Sequence, residues 1–132
     1  MGFSTRTMEE EDWDELHFFT KDEFKFPKNM GYEFMVWLEK VRVEARVPMP
    51  ISSSYRSVQY NLQIGGANKS AHTLIPCNCV DIPDPGNEGR YRIIRAAMKY
   101  GCKRIGSYSD GSIHLDRAES SHPAPRMWRV VK

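Results

Sequence analysis

The clearest hydrophobic pattern in the chain lies between Gly31 and Ala45. Apolar residues recur there at the helical positions i, i+3, i+4, i+7 and i+11, and charged residues occupy the opposite face. The apolar positions are Phe34, Trp37, Leu38, Val41 and Ala45, and the charged positions are Glu33, Glu39, Lys40 and Arg42. This pattern predicts an amphipathic helix with one buried face, which Pro48 and Pro50 would end.

Two further segments carry helix signals. Thr20 followed by Glu23 is a capping-box pattern, which predicts a short helix. Asn87 is placed to cap another helix over residues 88–100, and Gly101 would end it. The apolar positions expected to be buried in that helix are Tyr91, Ile94, Ala97 and Met98.

Strand and turn signals dominate the C-terminal half. Residues 103–109 and 111–117 predict two short strands around Asp110-Gly111, a dipeptide typical of hairpin turns. Residues 80–82 resemble the end of a strand, and residues 51–57 predict a short strand that runs into a loop. Because helices come first and strands later, with one helix between them, we predict an α+β fold. It would contain a small, mostly antiparallel sheet with flanking helices.

The chain of 132 residues has the length of one domain, with a composition close to the globular average. Residues 1–17 are acidic and are expected to form a loosely packed arm, which leaves residues 18–132 as the domain. Residues 57–70 are polar and are expected to form a loop. The apolar runs are too short to cross a bilayer, and the N-terminus lacks the features of an export signal. We expect synthesis in the cytoplasm without a signal peptide.

Charge is unevenly distributed although the net charge is only +2. Residues 1–30 hold eight acidic and four basic residues, residues 31–87 hold five of each, and residues 88–132 hold four acidic and ten basic residues. A solvated surface accounts for this asymmetry, and so does a basic face that attracts an anionic polymer. Few aromatic residues are interleaved with the bases, so no specific nucleic-acid partner is expected.

Metal binding is the candidate chemistry that the polar residues favour. The chain has four histidines, which are His17, His72, His114 and His122. His72 lies nine positions before Asp81, and two imidazoles with one carboxylate are a typical ligand set for catalytic zinc. Asp116 alternates with His114 along a predicted strand, so both side chains point to the same face. A carboxylate near such a centre can act as a general base.

Five segments occur in a specific order, and they read HFFTKDEF, SSYRS, GGANKSAHT, VDI and RIGSYSDGSIHLD. In this order they resemble the zinc-dependent D-alanyl-D-alanine carboxypeptidases and peptidoglycan endopeptidases, which include the VanX-type dipeptidases and many phage endolysins. GGANKSAHT and VDI are similar to the two ends of the family motif Ser-x-His-x-x-Gly-x-Ala-x-Asp, and the last segment is similar to the final family hairpin. The resemblance covers about residues 18–129 and implies the fold shared with the hedgehog domain.

Carried over residue by residue, the resemblance implies three zinc ligands, namely His72, Asp81 and His114. It places Arg56 at the edge of the site, where a guanidinium can bind a substrate carboxylate or stabilise the oxyanion. It also implies that Tyr55 and Ser70 bind substrate, with Ser70 supporting the loop of the first histidine. The implied reaction is attack of zinc-bound water on a peptide bond of bacterial peptidoglycan, by a carboxypeptidase or an endopeptidase.

The chain departs from the family pattern in the metal loop. Eight residues separate His72 from Asp81, where the family has six. This insertion carries Cys77 and Cys79, and Cys102 is the third cysteine. Three interpretations remain open, which are free thiols, a disulfide that involves Cys102, or contact with the metal.

A second departure concerns the general base. Many members of the family have an acid three residues before the last histidine, and that position is Gly111 here. We predict Asp116 as the general base and Asp110 as the alternative. The competing interpretation of Asp116 is a carboxylate that only orients a metal ligand.

The favoured function is therefore a monomeric zinc metallopeptidase that cuts the stem peptides of bacterial peptidoglycan, as a phage-type lysis or wall-remodelling enzyme. It would act at the bacterial cell wall, released by a phage or associated with a virion, and without insertion into a membrane. The alternative is a non-catalytic module on the same fold, which binds wall peptide or serves as a virion structural part.

Overall fold

Three α-helices and four β-strands follow one another along residues 6–131, the part of the chain that the computed structural model describes. The helices are α1 (Tyr32–Ala45), α2 (Val58–Gln63) and α3 (Gly86–Lys99). The strands are β1 (Cys79–Ile82), β2 (Arg104–Tyr108), β3 (Ile113–Asp116) and β4 (Arg126–Val130). Short 3-10 helices cover Glu10–Glu15, Lys21–Glu23, Pro27–Asn29 and Ala71–Thr73. The predicted α+β class is confirmed.

The strands form one sheet in the order β1-β3-β2-β4. β3 pairs antiparallel with both β1 and β2, whereas β4 joins the outer edge of β2 in parallel. The predicted hairpin connects β2 to β3, and Gly111 has the positive φ of 91° that favours glycine in its turn. The expectation of a small, mostly antiparallel sheet is confirmed.

Alternation of side chains gives the sheet two different faces. One face is apolar and belongs to the core, and its buried side chains are Val80, Ile82, Ile105, Ile113 and Leu115. The opposite face carries polar side chains, with Asp81 opposite His114 and Cys79 opposite Asp116. On the other side of β3, Gly106 also lies opposite His114. The polar face is where the candidate site forms.

Helix α1 forms where the hydrophobic pattern predicts it and buries the expected face. The predicted apolar positions Phe34, Trp37, Leu38, Val41 and Ala45 are all buried. The indole Nε1 of Trp37 donates a hydrogen bond to the carbonyl oxygen of Tyr100 at 2.8 Å, which links α1 to the residue after α3. Burial of this face supplies much of the hydrophobic stabilisation of the domain.

Helix α3 lies close to the predicted range, and the predicted buried face is correct for Ala97 and in part for Ile94 but wrong for Tyr91 and Met98. Tyr91 and Met98 are exposed, and the buried positions are Gly89, Ile93, Ala96 and Ala97. The helix begins at Gly86 after Pro85, so Asn87 lies inside it and does not cap it. Most of the buried residues of α3 are small, which allows close packing of helices. The prediction failed at Tyr91 and Met98 because it assigned large apolar side chains to the buried face.

Two elements were not expected from the hydrophobic pattern. Helix α2 occupies part of the segment predicted as a loop, and Ser57 Oγ caps it by accepting a hydrogen bond from Tyr60 N at 3.1 Å. Strand β4 lies along β2 in the segment after two prolines. Conversely, residues 51–57 do not form the predicted strand, because the pairing of Ser53 with Asp81 is an isolated bridge.

The acidic N-terminal segment packs against the domain within its described part. Met8 and Trp13 are buried in the core, and Arg6 forms an ion pair with the buried Asp12 at 2.7 Å. The expectation of loose packing is therefore wrong for residues 6–17, while residues 1–5 lie outside the described part. Among residues 6–131, no helix has the length and apolar character needed to cross a membrane.

Truncation of a core side chain in α1 should destabilise the protein strongly. Leu38 is fully buried, so Leu38→Ala should lower the free energy of unfolding by about 2–5 kcal/mol. Val43 lies in the same helix and is 55% exposed, so Val43→Ala should change it by less than about 0.5 kcal/mol. Chemical denaturation of both variants measures the difference, and equal values would contradict the assigned face of α1.

Candidate metal centre

Three elements bring together the three predicted zinc ligands. Asp81 on β1 and His114 on β3 are directly paired residues of neighbouring strands, and both point to the polar face of the sheet. His72 lies in the 3-10 helix Ala71–Thr73, which Ser70 caps by accepting a hydrogen bond from His72 N at 3.2 Å. Ser70 thus supports the loop of the first histidine, as the resemblance implied.

The distances between these side chains are short. His114 Nδ1 lies 2.8 Å from Asp81 Oδ1, and His72 Nε2 lies 3.3 Å from Asp81 Oδ2. The two imidazole rings are 5.0 Å apart between centroids. All three residues are buried, with exposed fractions of 1% for His72, 9% for Asp81 and 3% for His114. The carboxylate therefore bridges the two imidazoles.

The hydrogen bonds at the far side of each ring indicate which nitrogen carries the proton. His72 Nδ1 lies 2.6 Å from the carbonyl oxygen of Ser54, which can only accept, so Nδ1 donates and Nε2 has a free lone pair. His114 Nε2 lies 3.0 Å from Asp116 Oδ2, so donation there leaves a lone pair on Nδ1. In these neutral tautomers, both lone pairs would face the carboxylate of Asp81.

When the acceptor atoms of two imidazoles and a carboxylate face one another in a buried site, a proton or a metal cation between them is needed to offset their repulsion. His72 Nε2 is a buried nitrogen without a hydrogen-bond partner. Two imidazole nitrogens and a carboxylate are also ligands that zinc prefers. The donor set therefore fits a zinc ion, and the bonds of both histidines to Ser54 and Asp116 are the outer contacts that commonly orient metal-binding imidazoles.

The pKa values reflect the same electrostatics. Burial alone lowers the pKa of His114, but the hydrogen bonds to Asp116 and Asp81 outweigh it and raise the pKa to about 9. Burial alone raises the pKa of Asp81, but the hydrogen bond with His114 and the close approach of His72 bring it well below its usual range. In the protein without metal, a proton on His114 thus supplies the positive charge between the acceptors.

Asp116, the predicted general base, lies behind His114 and is fully buried. Its Oδ1 accepts a hydrogen bond from Ala118 N at 2.7 Å and forms an ion pair with Arg104 Nε at 3.1 Å. Its Oδ2 accepts from His114 Nε2. This geometry gives Asp116 a positioning role, and its assignment as the base stays a prediction.

Asp110, the alternative base, is exposed and lies in the turn before β3. Its Oδ1 accepts hydrogen bonds from Ser112 N at 2.9 Å and from Ser112 Oγ at 2.6 Å. The hydrogen bond from the Ser112 hydroxyl is the main cause that lowers the pKa of Asp110. Asp110 and Ser112 line the cleft described next, whereas Gly111 between them does not.

The candidate centre lies in a cleft of about 800 Å³. The cleft is lined by the three predicted ligands together with Arg56, Lys69, Ser70, Tyr108, His122 and Trp128. Arg56 therefore lines the cleft of the candidate centre, its Nε is buried without a hydrogen-bond partner, and its role at the site stays a prediction. Tyr55 does not line this cleft, because its ring packs edge-on against Phe26 with the centroids 5.5 Å apart. Its role in substrate binding stays a prediction.

Tyr108 is a candidate functional residue that the sequence analysis missed. It follows Gly106 at a spacing of two on β2, which places it on the polar face of the sheet and within the cleft. Burial raises the pKa of its hydroxyl, and the negative charge of Asp81 raises it further. The hydroxyl therefore stays protonated and can donate a hydrogen bond. Strand alternation from His114 through Gly106 was the signal that could have identified it.

Trp128 forms a wall of the cleft and depends on a glycine. Its indole ring lies 5.3 Å from the imidazole ring of His114, measured between centroids. A Cβ atom added at Gly106 would lie 2.6 Å from Trp128 Nε1, which is closer than side-chain atoms approach one another. Glycine at this position therefore lets the tryptophan of β4 lie against the candidate ligand.

The three cysteines are free and buried, so the interpretation as a disulfide with Cys102 is wrong for this structure. The insertion is held by Cys77, whose backbone nitrogen donates to Asn29 O at 2.8 Å and whose carbonyl accepts from Gly31 N at 2.9 Å. The inserted residues are thus anchored beside the start of α1, and Asp81 keeps its place on β1. Cys79 lies within reach of the candidate centre.

Residues 15–116 match the model of the peptidase M15 family. The match spans well over half of the chain, so the chain belongs to this family, and the assignment made from its motifs is confirmed. Membership supports a metallopeptidase that depends on zinc, in agreement with the cluster of buried metal-binding side chains. A comparison with curated proteins finds no match.

Removal of either imidazole should abolish tight zinc binding. We expect the purified protein to bind one zinc ion, and we expect His72→Ala and His114→Ala to lose it because each removes a direct ligand. His17 is exposed and lies outside the cleft, so His17→Ala is the matched control and should keep its zinc. Metal analysis after dialysis measures the content, and retention of zinc by His114→Ala would refute the site.

Substitution of the buried carboxylate behind His114 should weaken zinc binding without removing a ligand. Asp116→Asn keeps the shape but loses the charge that orients the imidazole, and zinc affinity should fall about 10- to 100-fold. Asp110→Asn should leave zinc affinity unchanged, because Asp110 contacts Ser112 and no predicted ligand in the hydrogen bonds of the described residues. Competition with a chromophoric chelator measures both affinities, and equal values would contradict the positioning role.

Proposed function

We propose that the protein is a zinc metallopeptidase that hydrolyses a peptide bond in the stem peptides of bacterial peptidoglycan. One observation carries the proposal, namely that two imidazole nitrogens lie within 3.3 Å of one carboxylate in the lining of a cleft. Membership in the peptidase M15 family supports the reaction class. Three protein ligands would leave one coordination position for water, which is the arrangement of catalytic zinc sites.

In the proposed reaction, the metal and the residues around it have separate roles. Zinc, when bound, supplies a Lewis acid that polarises a carbonyl and lowers the pKa of water. Tyr108 keeps its proton and can donate a hydrogen bond to an oxyanion, and the guanidinium of Arg56 can do the same or bind a substrate carboxylate. Asp116 holds His114 in the orientation that exposes Nδ1 to the centre.

We propose that Asp110, the alternative base of the sequence analysis, and not Asp116 is the general base. Both carboxylate oxygens of Asp116 are engaged by Ala118, Arg104 and His114, and the residue is fully buried. Asp110 lines the same cleft and is exposed, so water and substrate can reach it. Substitution of a general base typically costs about 10²- to 10⁴-fold in rate, which makes the assignment measurable.

The charge of the cleft supports a substrate that carries carboxylates. Arg56 and Lys69 both line the cleft, and stem peptides of peptidoglycan offer carboxylates from their acidic residues and their free ends. The excess of basic residues in 88–132 would aid adhesion to an anionic wall. We accordingly propose that the protein acts as a monomer at the bacterial cell wall, as a phage-released or virion-associated enzyme.

One observation favours the alternative of a non-catalytic module that binds wall peptide. Gly111 stands where many family members have the acidic base, so no carboxylate occupies that position. If Asp110 does not replace it, the centre would bind zinc and peptide without turnover. Zinc content alone does not distinguish the two functions, and hydrolysis does.

The test is digestion of purified peptidoglycan with mass spectrometry of the fragments. We expect zinc-dependent release of peptide fragments, lost after chelation and restored by zinc, and their masses identify the bond that is cut. Asp110→Asn should lose about 10²- to 10⁴-fold in rate with unchanged zinc content. His17→Ala serves as the active control.

Each failure of this test has its own meaning. Full activity of Asp110→Asn together with an inactive, zinc-loaded Asp116→Asn would move the base to Asp116. Tight binding of wall peptide by a zinc-loaded protein that releases no fragment would establish the non-catalytic alternative. An absence of both binding and hydrolysis would refute the proposed substrate.

A further inference from the structure

Cys79 is the one cysteine whose side chain faces the candidate centre. It precedes Asp81 by two residues on β1, so both side chains point to the polar face of the sheet. It is fully buried, and its Sγ lies within 4.8 Å of a ring nitrogen of His72 and of His114. In tetrahedral coordination, zinc–sulfur and zinc–nitrogen bonds of about 2.3 Å and 2.0 Å place the two ligand atoms about 3.5 Å apart, so shifts of at most about 1.3 Å in total would allow shared coordination.

The other two thiols are directed elsewhere. Cys77 Sγ lies 3.9 Å from the carbonyl oxygen of His72 and 3.7 Å from that of Cys79. Cys102 Sγ lies 3.4 Å from the carbonyl oxygen of Arg104. Among the hydrogen bonds of residues 6–131, Cys79 Sγ has only Cys77 Sγ as a partner, at 3.7 Å, and no carbonyl acceptor. Because the Cys79 thiol has no carbonyl acceptor among these hydrogen bonds, metal coordination would not require it to break a bond to the backbone.

A second observation at the same place points to a bound cation. His72 Nε2 is buried and has no hydrogen-bond partner, and His72 is only 1% exposed. This nitrogen lies 3.3 Å from Asp81 Oδ2, and a ring nitrogen of His72 lies within 4.8 Å of Cys79 Sγ. The Cys79 thiol and the Asp81 carboxylate thus both lie close to the same two buried imidazoles.

We propose that Cys79 is a further ligand of the metal ion held by His72 and His114, so that the centre offers a soft thiolate beside the carboxylate of Asp81. On binding, the S–H bond of Cys79 breaks, the sulfur donates its electron pair to the metal, and the proton leaves to solvent. The proposal rests on the metal centre of the proposed function and not on its hydrolytic activity.

Thiolate ligation has a consequence for the metal that the centre selects. Soft sulfur ligands favour zinc and cadmium over magnesium and manganese, which prefer oxygen. A fourth protein ligand would also hold zinc more tightly, and it would slow any reaction that requires a vacant coordination position. Cys79 would therefore raise selectivity and affinity at a cost in turnover.

Cobalt(II) substitution tests the proposal through the absorption spectrum. Metal-free protein is titrated with Co²⁺ under a non-coordinating reductant, and a thiolate ligand produces a charge-transfer band in the near ultraviolet. We expect this band in the wild type, in Cys77→Ser and in Cys102→Ser, and its loss in Cys79→Ser. The visible cobalt bands should persist in Cys79→Ser, while its zinc Kd should rise at least about tenfold, since even outer contacts of a metal site cost 10- to 100-fold.

The outcomes separate this proposal from the proposed function. Visible cobalt bands without a charge-transfer band in the wild type would overturn thiolate ligation and leave the metal centre intact. A band that survives in Cys79→Ser but disappears in Cys77→Ser would overturn the assignment to Cys79. An absence of any cobalt or zinc binding would overturn both the ligand proposal and the metal centre.

A measurement on the unmodified chain keeps the proposal testable if Cys79→Ser does not fold. The ¹¹³Cd NMR resonance of the cadmium-loaded wild type moves strongly downfield when sulfur binds the metal. We expect a ¹¹³Cd chemical shift typical of cadmium that is bound by one sulfur ligand together with nitrogen and oxygen ligands. A resonance typical of nitrogen and oxygen alone would overturn the proposal without any variant.

Discussion

The antiparallel register between β1 and β3 is the constraint on which the candidate centre depends. It places Asp81 directly opposite His114, and the same register places Cys79 opposite Asp116. A slip by one residue would turn the polar face of one strand into the core and would bring Val80 or Leu115 to the cleft. The apolar face opposes such a slip, because its isoleucines, valine and leucine are fully or almost fully buried. The hydrophobic core therefore fixes the chemistry on the other side of the sheet.

His72 is independent of the strands, and backbone contacts hold it in place. Its Nδ1 contacts the carbonyl oxygen of Ser54, and its carbonyl oxygen accepts a hydrogen bond from Arg56 N at 2.8 Å. The segment that carries Arg56 thus also fixes the first imidazole. Residues 51–57 pair with β1 only around Ser53 and Asp81, and the backbone nitrogen of Arg56 bonds to the histidine loop, so the pairing stays an isolated bridge. The loop also tolerates two extra residues, which are anchored by Cys77 beside α1.

Sequence reasoning succeeded where one residue pattern determines one local structure. The stripe of α1 predicted its buried face, and Asp110-Gly111 predicted the hairpin of β2 and β3. The convergence of His72 with Asp81 came from family resemblance, because no local pattern fixes a contact between a loop and a distant strand. Helix α2 was missed because its six residues alternate between apolar and polar, which is not a helical period, and β4 was missed because its pairing with β2 is non-local. The buried Trp13 was missed because acidic neighbours mask a single large apolar side chain.

The buried side chains on the polar face of the sheet carry an excess of negative charge that a bound proton or metal ion must compensate. Asp81 and Asp116 are both buried acids, while Arg104 is the one arginine buried beside them in the described part of the chain. One further positive charge is needed, and either a proton on His114 or a metal ion supplies it. A metal ion that binds only the folded state would compensate this negative charge, and its binding free energy would add to the stability of the domain. A metal bound by His114 and Asp81 would also link β3 to β1, because each of these strands carries one of the two residues.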